Sequence, residues 1–200
     1  MLKRLSAVWV PVLRHNALFP EGLAGFLDGN PVSQRAARDF SITPDQVYVA
    51  LEPHPRKPDV RVATMMAFPA TVRAGSCDDG YLTHGAAVSM CDTVNSYQVM
   101  ERLLPDRTIH VSVYLQAQEL QPVREGDQIV MISTIDKMGK RLVYCKTDIY
   151  RDLGEVSAAM AAQEGEVRTV RELQVALTRY QKVISGTHVK SILHGVKKGG

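Results

Sequence analysis

A histidine–glycine pair followed by an acidic residue in an apolar run is the feature of the sequence best suited to chemistry. His84 and Gly85 lie where a loop turns into a predicted helix, and the unpaired backbone N–H groups of a helix start suit a developing negative oxygen. Asp92 falls about two turns into that helix. A carboxylate in apolar surroundings is costly unless it is paired or used, which makes Asp92 a candidate functional residue. The alternative is that Asp92 lies on a solvent-exposed helix face and binds the amide of a neighbouring strand.

Hydrophobic periodicity predicts the elements that must position these residues. Residues 86–104 combine good helix formers with apolar residues on most faces, and Pro105 follows, which predicts a buried helix. Residues 61–68 predict a strand before the helix. Four strands are predicted after it: residues 109–117, 128–135, 142–150 and 156–162. The short turns between them indicate antiparallel pairing, so we expect an α+β fold in which a curved sheet wraps around one helix.

The order of motifs along the chain resembles the hotdog acyl-CoA thioesterase superfamily. The resemblance lies in five stretches: His84-Gly85 to Asp92, and residues 111–113, 122–127, 139–142 and 152–154. It covers roughly residues 60–165, and it is greatest to the branch whose motif is His-Gly-Gly followed by a helix with Asp. The resemblance therefore implies the hotdog fold.

The same resemblance implies the function and the roles of individual residues. It implies hydrolysis of an acyl-CoA to a free acid and CoA, with Asp92 as nucleophile or general base and the Gly85 amide polarising the thioester carbonyl. Ser112 would help to orient the attacking water, and Asp78 or Cys77 lies where the branch commonly has Asn. No metal or cofactor is implied, since CoA is part of the substrate. Family members form homodimers, often paired into tetramers, with acyl-CoA bound between subunits.

The helix motif departs from the family pattern in its spacing. The family has one more residue between its histidine and its aspartate than this chain has between His84 and Asp92. If Asp92 is aligned, Thr83 takes the histidine position and His84 that of the first glycine, so Thr83 joins Asp78 as a candidate for substrate binding. If His84 is aligned, Ala86 takes the position of the second glycine, and Asp92 moves by about 100° around the helix axis. Both alignments stay open.

Composition excludes few classes of function. The apolar content of 45% and charged content of 22% are ordinary for a globular protein, and no apolar run approaches the roughly 18 residues of a transmembrane helix. The three cysteines have no close pair that would predict a disulfide framework or a metal knuckle. The net charge of +3 comes from the two ends of the chain, with no basic stripe among aromatic residues, so nucleic-acid binding is disfavoured.

The chain divides into four segments by composition. Residues 1–20 mix apolar and basic residues without an acid, as mitochondrial transit peptides do; the alternative is an ordinary helix that docks on the domain. Residues 21–58 form an extension rich in proline, glycine and polar residues, and residues 59–165 hold the hotdog domain. Residues 166–200 predict an amphipathic helix, with an apolar seam that ends at Ile184, and a basic tail. The seam packs either on its own domain or on a partner chain.

Two hypotheses of different classes follow. The first is an acyl-CoA thioesterase of the mitochondrial matrix, a homodimer or homotetramer associated through its sheet. The second is a non-catalytic hotdog subunit, a structural or ligand-binding component of a larger mitochondrial assembly, as the altered motif and the two extensions allow. Dehydration of a hydroxyacyl thioester is less favoured, because the different histidine and acid arrangement of that branch is absent. His110 and His188 receive no role, since no acid or nucleophile lies near them in the sequence.

Overall fold

One long helix lies against an antiparallel sheet in a computed structural model of the chain, which describes residues 8–28, 31–40, 42–54, 56–106, 108–152 and 169–194. The strands are β1 (Trp9–Pro11), β2 (Tyr48–His54), β3 (Lys57–Thr71), β4 (Cys77–Asp78), β5 (Tyr81–Leu82), β6 (Ile109–Glu119), β7 (Gln128–Met138), β8 (Leu142–Arg151) and β9 (Lys182–Leu193). The helices are α1 (Val12–His15), α2 (Phe19–Leu27), α3 (Pro31–Asp39), α4 (His84–Leu103) and α5 (Val170–Leu177).

The main sheet runs in the order β1-β2-β3-β7-β8-β9-β6, and every neighbouring pair is antiparallel. The chain leaves α4 into β6, which lies at one edge of the sheet and pairs with β9. The short hairpin of β4 and β5 leads into α4 through a turn at Asp79 and Gly80, whose positive φ angles of 47° and 77° are typical of a tight hairpin turn. The predicted α+β arrangement, an antiparallel sheet against one long helix, is confirmed.

The helix α4 agrees with the predicted buried helix that ends before Pro105. Thr83 precedes it, and its hydroxyl accepts a hydrogen bond from the Ala86 N–H at 3.2 Å, which satisfies one of the unpaired donors of the first turn. Every residue from Thr93 to Glu101 is buried. A helix buried in this way needs cover on more than the side that faces the sheet.

The N-terminal segment supplies part of that cover. Strand β1 pairs with β2, and the side chains of Val12 and Phe19 are fully buried. The buried carboxylate of Glu101 on α4 accepts a hydrogen bond from Asn16 Nδ2 at 3.1 Å and lies 3.3 Å from His15 Nε2. Trp9, Val12 and Phe19 are therefore part of the folded core. The transit peptide expected at residues 1–20 stays a prediction.

The segment after residue 165 differs from its prediction. The helix α5 ends at Leu177, whereas the seam was expected to continue to Ile184, and Ile184 instead lies in β9. This strand pairs with β8 on one side and β6 on the other, so the prediction of helix beyond Leu177 is wrong. The strand predicted at residues 156–162 lies outside the described residues. The seam of α5 packs on its own domain, where Leu173 is fully buried.

Replacing Phe19 with alanine should lower the free energy of unfolding by about 3 to 5 kcal/mol, because a fully buried aromatic ring is removed and leaves a cavity. Urea denaturation followed by circular dichroism measures the change. The neighbouring variant Leu18→Ala is the control, since Leu18 is 42% exposed and its loss should cost less than about 0.5 kcal/mol. Equal, small losses in both variants would show that the N-terminal segment is not part of the core.

Candidate functional site

Asp92 lies in a cluster of polar side chains between α4 and the sheet. Its Oδ1 atom accepts hydrogen bonds from Ser112 Oγ at 2.9 Å and from Lys190 Nζ at 3.2 Å. His188 Nε2 lies 3.4 Å from the same oxygen and 3.0 Å from Ser112 Oγ. Asp92 is thus bound by two side chains from two strands, Ser112 and Lys190, with His188 nearby, and not by a strand amide.

The pairing of β6 with β9 explains why these residues meet. Ser112 and Lys190 are direct partners across the two strands. Side chains two residues apart point to the same side of a strand, so His188 and Lys190 both face α4, as does Ser112. The cluster therefore depends on β9, which sequence periodicity did not predict.

The cluster has a buried part and an exposed part. Lys190 and His188 are almost fully buried, at 2% and 1% exposed. Ser112 is exposed, and the Asp92 side chain is 37% exposed. The contacts of Asp92 all go to Oδ1, and within the described ranges no residue donates a hydrogen bond to Oδ2. Asp92 thus has one anchored oxygen and one without a donor among the described residues, in a side chain that solvent partly reaches.

Asp92 is ionised at neutral pH. Burial raises the pKa of Asp92, and the charge of Lys190 opposes that effect. The hydrogen bond from Ser112 and the charge of protonated His188 lower the pKa further, and the net result is a pKa below its usual range. Lys190 is the more deeply buried partner, and burial lowers its pKa even though Asp92 acts in the opposite direction.

The histidines of the cluster are neutral at pH 7. Burial, helped by the charge of Lys190, lowers the pKa of His188 to about 4 and that of His110 to about 3. His110 also faces the cluster from β6, and its ring stacks on that of Phe26, with centroids 5.6 Å apart. Neutral imidazoles place no further positive charge beside Asp92.

A series of polar side chains lies on the Nδ1 side of the His188 ring. Asn95 Nδ2 lies 3.5 Å from His188 Nδ1, and the Ser133 hydroxyl lies 2.6 Å from the side-chain oxygens of both Asn95 and Gln98. Gln98 Nε2 in turn donates to the backbone oxygen of Thr64 at 2.9 Å. Each of these buried groups has a polar neighbour, although the single hydrogen of the Ser133 hydroxyl serves only one of the two oxygens at a time.

The other predicted site residues lie at the start of α4. Gly85 is the second residue of the helix, about 10 Å along the axis from Asp92. The His84 side chain is 64% exposed, with Nδ1 3.0 Å from Glu119 Oε1, while the Thr83 hydroxyl caps the helix. Asp78 is exposed in β4. Within one chain, the structure brings Asp92 and Ser112 together. Thr83, His84 and Gly85 form a separate group at the start of α4, away from Asp92.

Two residues of the cluster were missed from the sequence. No acid lies near His188 along the chain, yet it contacts both Asp92 and Ser112 in space. Lys190 lies in a segment for which the sequence predicts a helix or a basic tail. The available signal was their spacing of two residues in a β-branched stretch, which is the spacing of one strand face.

Metal binding and membrane spanning are not indicated in the described part of the chain. No group of three or more histidine, cysteine, aspartate or glutamate side chains is placed to hold a metal ion there. None of the helices described is long and apolar enough to cross a bilayer.

Solved structures confirm the fold class. The chain is similar to thioesterase superfamily member 2 from zebra fish, with a TM-score of 0.54 and 12% identity over 92% of this chain and 99% of that chain. It is also similar to the PaaI protein of the E. coli phenylacetic acid degradation operon, with a TM-score of 0.54 and 11% identity over 89% of this chain and 95% of that chain. No protein-family model matches the sequence, and no curated protein matches it. The chain has the hotdog fold that the sequence resemblance implied.

Acidification should lower the free energy of unfolding between about pH 6.5 and pH 4. Unfolded His188 takes up a proton near its ordinary pKa, whereas folded His188 does so only near pH 4, so the unfolded state binds more protons in this window. Each such histidine contributes a slope of at most about 1.4 kcal/mol per pH unit. Urea denaturation at several pH values should give a flatter slope for His188→Gln. The control His54→Gln, outside the cluster in β2, should keep the wild-type slope; an equal effect in both variants would contradict the assignment.

Proposed function

We propose that the protein is a thioester hydrolase that acts on acyl-CoA, with Asp92 as its general base or nucleophile. The observation that carries the proposal is the asymmetry of the Asp92 carboxylate. Its Oδ1 is anchored by Ser112 and Lys190, while no described residue donates to Oδ2 and the side chain is 37% exposed. An ionised, oriented and accessible carboxylate is what a general base requires.

The reaction follows from this geometry. As a base, Oδ2 of Asp92 takes a proton from a water molecule as the water oxygen bonds to the thioester carbonyl carbon. The carbon–sulfur bond then breaks, the CoA thiolate receives a proton, and the free acid leaves. Ser112 is exposed beside the carboxylate and helps to hold it in place through the hydrogen bond to Oδ1. As a nucleophile, Oδ2 bonds to the same carbon, the carbon–sulfur bond breaks, and the CoA thiolate leaves and receives a proton. Water then hydrolyses the enzyme anhydride, which releases the free acid and restores the Asp92 carboxylate.

A second copy of the chain would complete the site. The thioester carbonyl needs a donor within about 3 Å of its developing oxyanion, and the Gly85 amide lies too far along α4 to serve Asp92 of the same chain. Gly85 and Asp92 are seven positions apart, so they lie within about 20° of the same helix face. A two-fold axis that places two such helices antiparallel brings Gly85 of each chain opposite Asp92 of the other.

The edge of the sheet supports such a pairing. Strand β6 ends the described sheet and exposes Val111, Val113 and Tyr114, at 42%, 61% and 50%. A long, partly apolar edge strand needs cover, and a second copy provides it. Ser112 lies on the same strand, so the expected interface adjoins Asp92. We therefore propose a homodimer or a homotetramer of such dimers.

A non-catalytic role is the second candidate, and one observation favours it. The charge of Lys190 lowers the pKa of Asp92 and so weakens it as a base, on top of the altered spacing of the helix motif. In that case the protein would be a structural or ligand-binding subunit of a mitochondrial assembly. A location in the mitochondrial matrix is proposed for either function, on the basic, acid-free composition of residues 1–20.

Asp92→Asn should lower kcat for acyl-CoA hydrolysis by about 10² to 10⁴, because the variant keeps the size of the side chain and loses the base. Release of CoA from a panel of acyl-CoA esters, detected with a thiol reagent, measures the rate. The matched control is Asp148→Asn on β8, which also breaks contacts of a half-buried carboxylate, with Lys146 and Lys182, but is not part of the cluster. Asp148→Asn should keep most of the activity.

The outcome separates the two candidate functions. Equal and substantial hydrolysis by wild type and Asp92→Asn would remove Asp92 from the mechanism. No hydrolysis of any acyl-CoA by the folded wild type would favour the non-catalytic subunit.

Mixing two inactive variants should restore activity if each site uses both chains. Gly85→Pro removes the amide donor without blocking the helix, since proline is tolerated in a first turn and Pro20 holds the same second position of α2. Asp92→Asn removes the base. Random reassociation of the two variant chains would put about half of the dimers in hybrid form. Each hybrid dimer has one intact site out of two, so the mixture should have about a quarter of wild-type activity. Separately inactive variants that stay inactive after denaturation and refolding together would contradict a shared site.

A further inference from the structure

A buried lysine lies directly beneath the two exposed polar groups of the candidate site. Lys190 is 2% exposed, and its Nζ lies 3.2 Å from both Asp92 Oδ1 and Ser112 Oγ. It stands on β9, where its direct partners are Ser112 on β6 and Val143 on β8. This lysine has no place in the roles that the sequence resemblance implied.

We propose that Lys190 is a positioning residue that fixes the direction of the Ser112 hydroxyl and the orientation of the Asp92 carboxylate for attack on the thioester. The inference rests on the proposed function and deepens it, since it assigns a role to a residue that does not touch the substrate. Burial prevents Lys190 from reaching a substrate, so it acts through Asp92 and Ser112.

Hydrogen-bond accounting explains the positioning. An ammonium group has only donors, so the Ser112 oxygen must accept from Lys190. His188 Nε2 also donates to this oxygen at 3.0 Å, because the neutral ring accepts from Asn95 Nδ2 at Nδ1. The single hydrogen of the Ser112 hydroxyl is therefore directed to Asp92 Oδ1 at 2.9 Å. With Lys190 and Ser112 both bound to Oδ1, rotation of the carboxylate would break two charge-assisted contacts. Oδ1 is therefore held against Lys190 and Ser112, and Oδ2 keeps no donor among the described residues.

The charge of Lys190 has a second effect on Asp92. Burial raises the pKa of Asp92, and the Lys190 charge is the largest influence that lowers it. The other titratable groups that face Lys190 are His188 on the same strand, His110 on β6 and Cys145 on β8. Burial keeps both imidazoles neutral at pH 7 and raises the pKa of Cys145 to about 12, so none of them replaces the positive charge there.

The same strand offers a matched control. Lys182 also lies on β9 and also pairs with an aspartate, at 3.0 Å from Asp148 Oδ2. It differs from Lys190 in its partner and in being one-third exposed. Lys182→Met therefore removes a lysine–aspartate pair from β9 without changing the cluster around Asp92.

The first measurement is the pH profile of kcat/KM for acyl-CoA hydrolysis in Lys190→Met, Lys190→Gln, Lys190→Arg and Lys182→Met. Without the cation, Asp92 takes up its proton at higher pH. The acid limb of the kcat/KM profile should therefore shift to higher pH by about one unit or more in Lys190→Met and Lys190→Gln. Lys190→Gln keeps two N–H donors and removes only the charge, which guards against loss of folding. Lys190→Arg and Lys182→Met should keep the limb near its wild-type position.

The second measurement does not depend on activity. The carbon-13 shift of the Asp92 carboxyl, assigned with Asp92→Asn, is titrated in the wild type and in the same variants. An upward shift in Lys190→Gln but not in Lys182→Met supports the inference. An unchanged Asp92 titration in Lys190→Gln and Lys190→Met overturns it, even if the wild type is an active hydrolase. A shifted titration in a protein that hydrolyses no acyl-CoA would instead overturn the proposed function and leave the coupling of Lys190 to Asp92 intact.

Discussion

The burial of α4 on several sides is the constraint on which the rest of the fold depends. A single sheet covers only one side of a helix, while every residue from Thr93 to Glu101 is buried. The N-terminal segment covers the remainder: the ring of Phe26 lies edge-on to Tyr97 at 5.7 Å, and Asn16 binds Glu101. Val12, Phe19 and Leu23 therefore belong to the core, because α4 would otherwise expose apolar side chains to water.

Burial of the same helix dictates where polar groups must lie on the sheet. Asn95 and Gln98 meet Ser133 of β7, and Asp92 meets Lys190 of β9. An unpaired amide or charge in these positions would lose its hydration without compensation. Each polar residue on the buried side of α4 thus requires a polar partner on the inner face of the sheet. The candidate site, with Asp92, lies at one end of this series of polar contacts.

The accuracy of the sequence prediction depends on how regular each element is. The α4 segment was predicted from its apolar composition and its proline stop, and β6 from alternation, because each shows one period clearly. Strand β9 was missed because His188 and Lys190 occupy inward positions and hide the alternation, while Val170, Leu173 and Leu177 start a helical period. The contact of Lys190 with Asp92 joins residues 98 positions apart, and only the strand register reveals it.

Stability alone does not account for the ion pair of Asp92 and Lys190. Burying two charges is expensive, and exchanging a buried pair for apolar residues of similar size is often neutral or stabilising, whereas removing one partner is harmful. An apolar pair would therefore satisfy the fold at these positions as well as Asp92 and Lys190 do. What it would not provide is a partly exposed carboxylate with one oxygen anchored beside an exposed hydroxyl. The buried charge is better explained by the partly exposed carboxylate that it orients than by the packing around it.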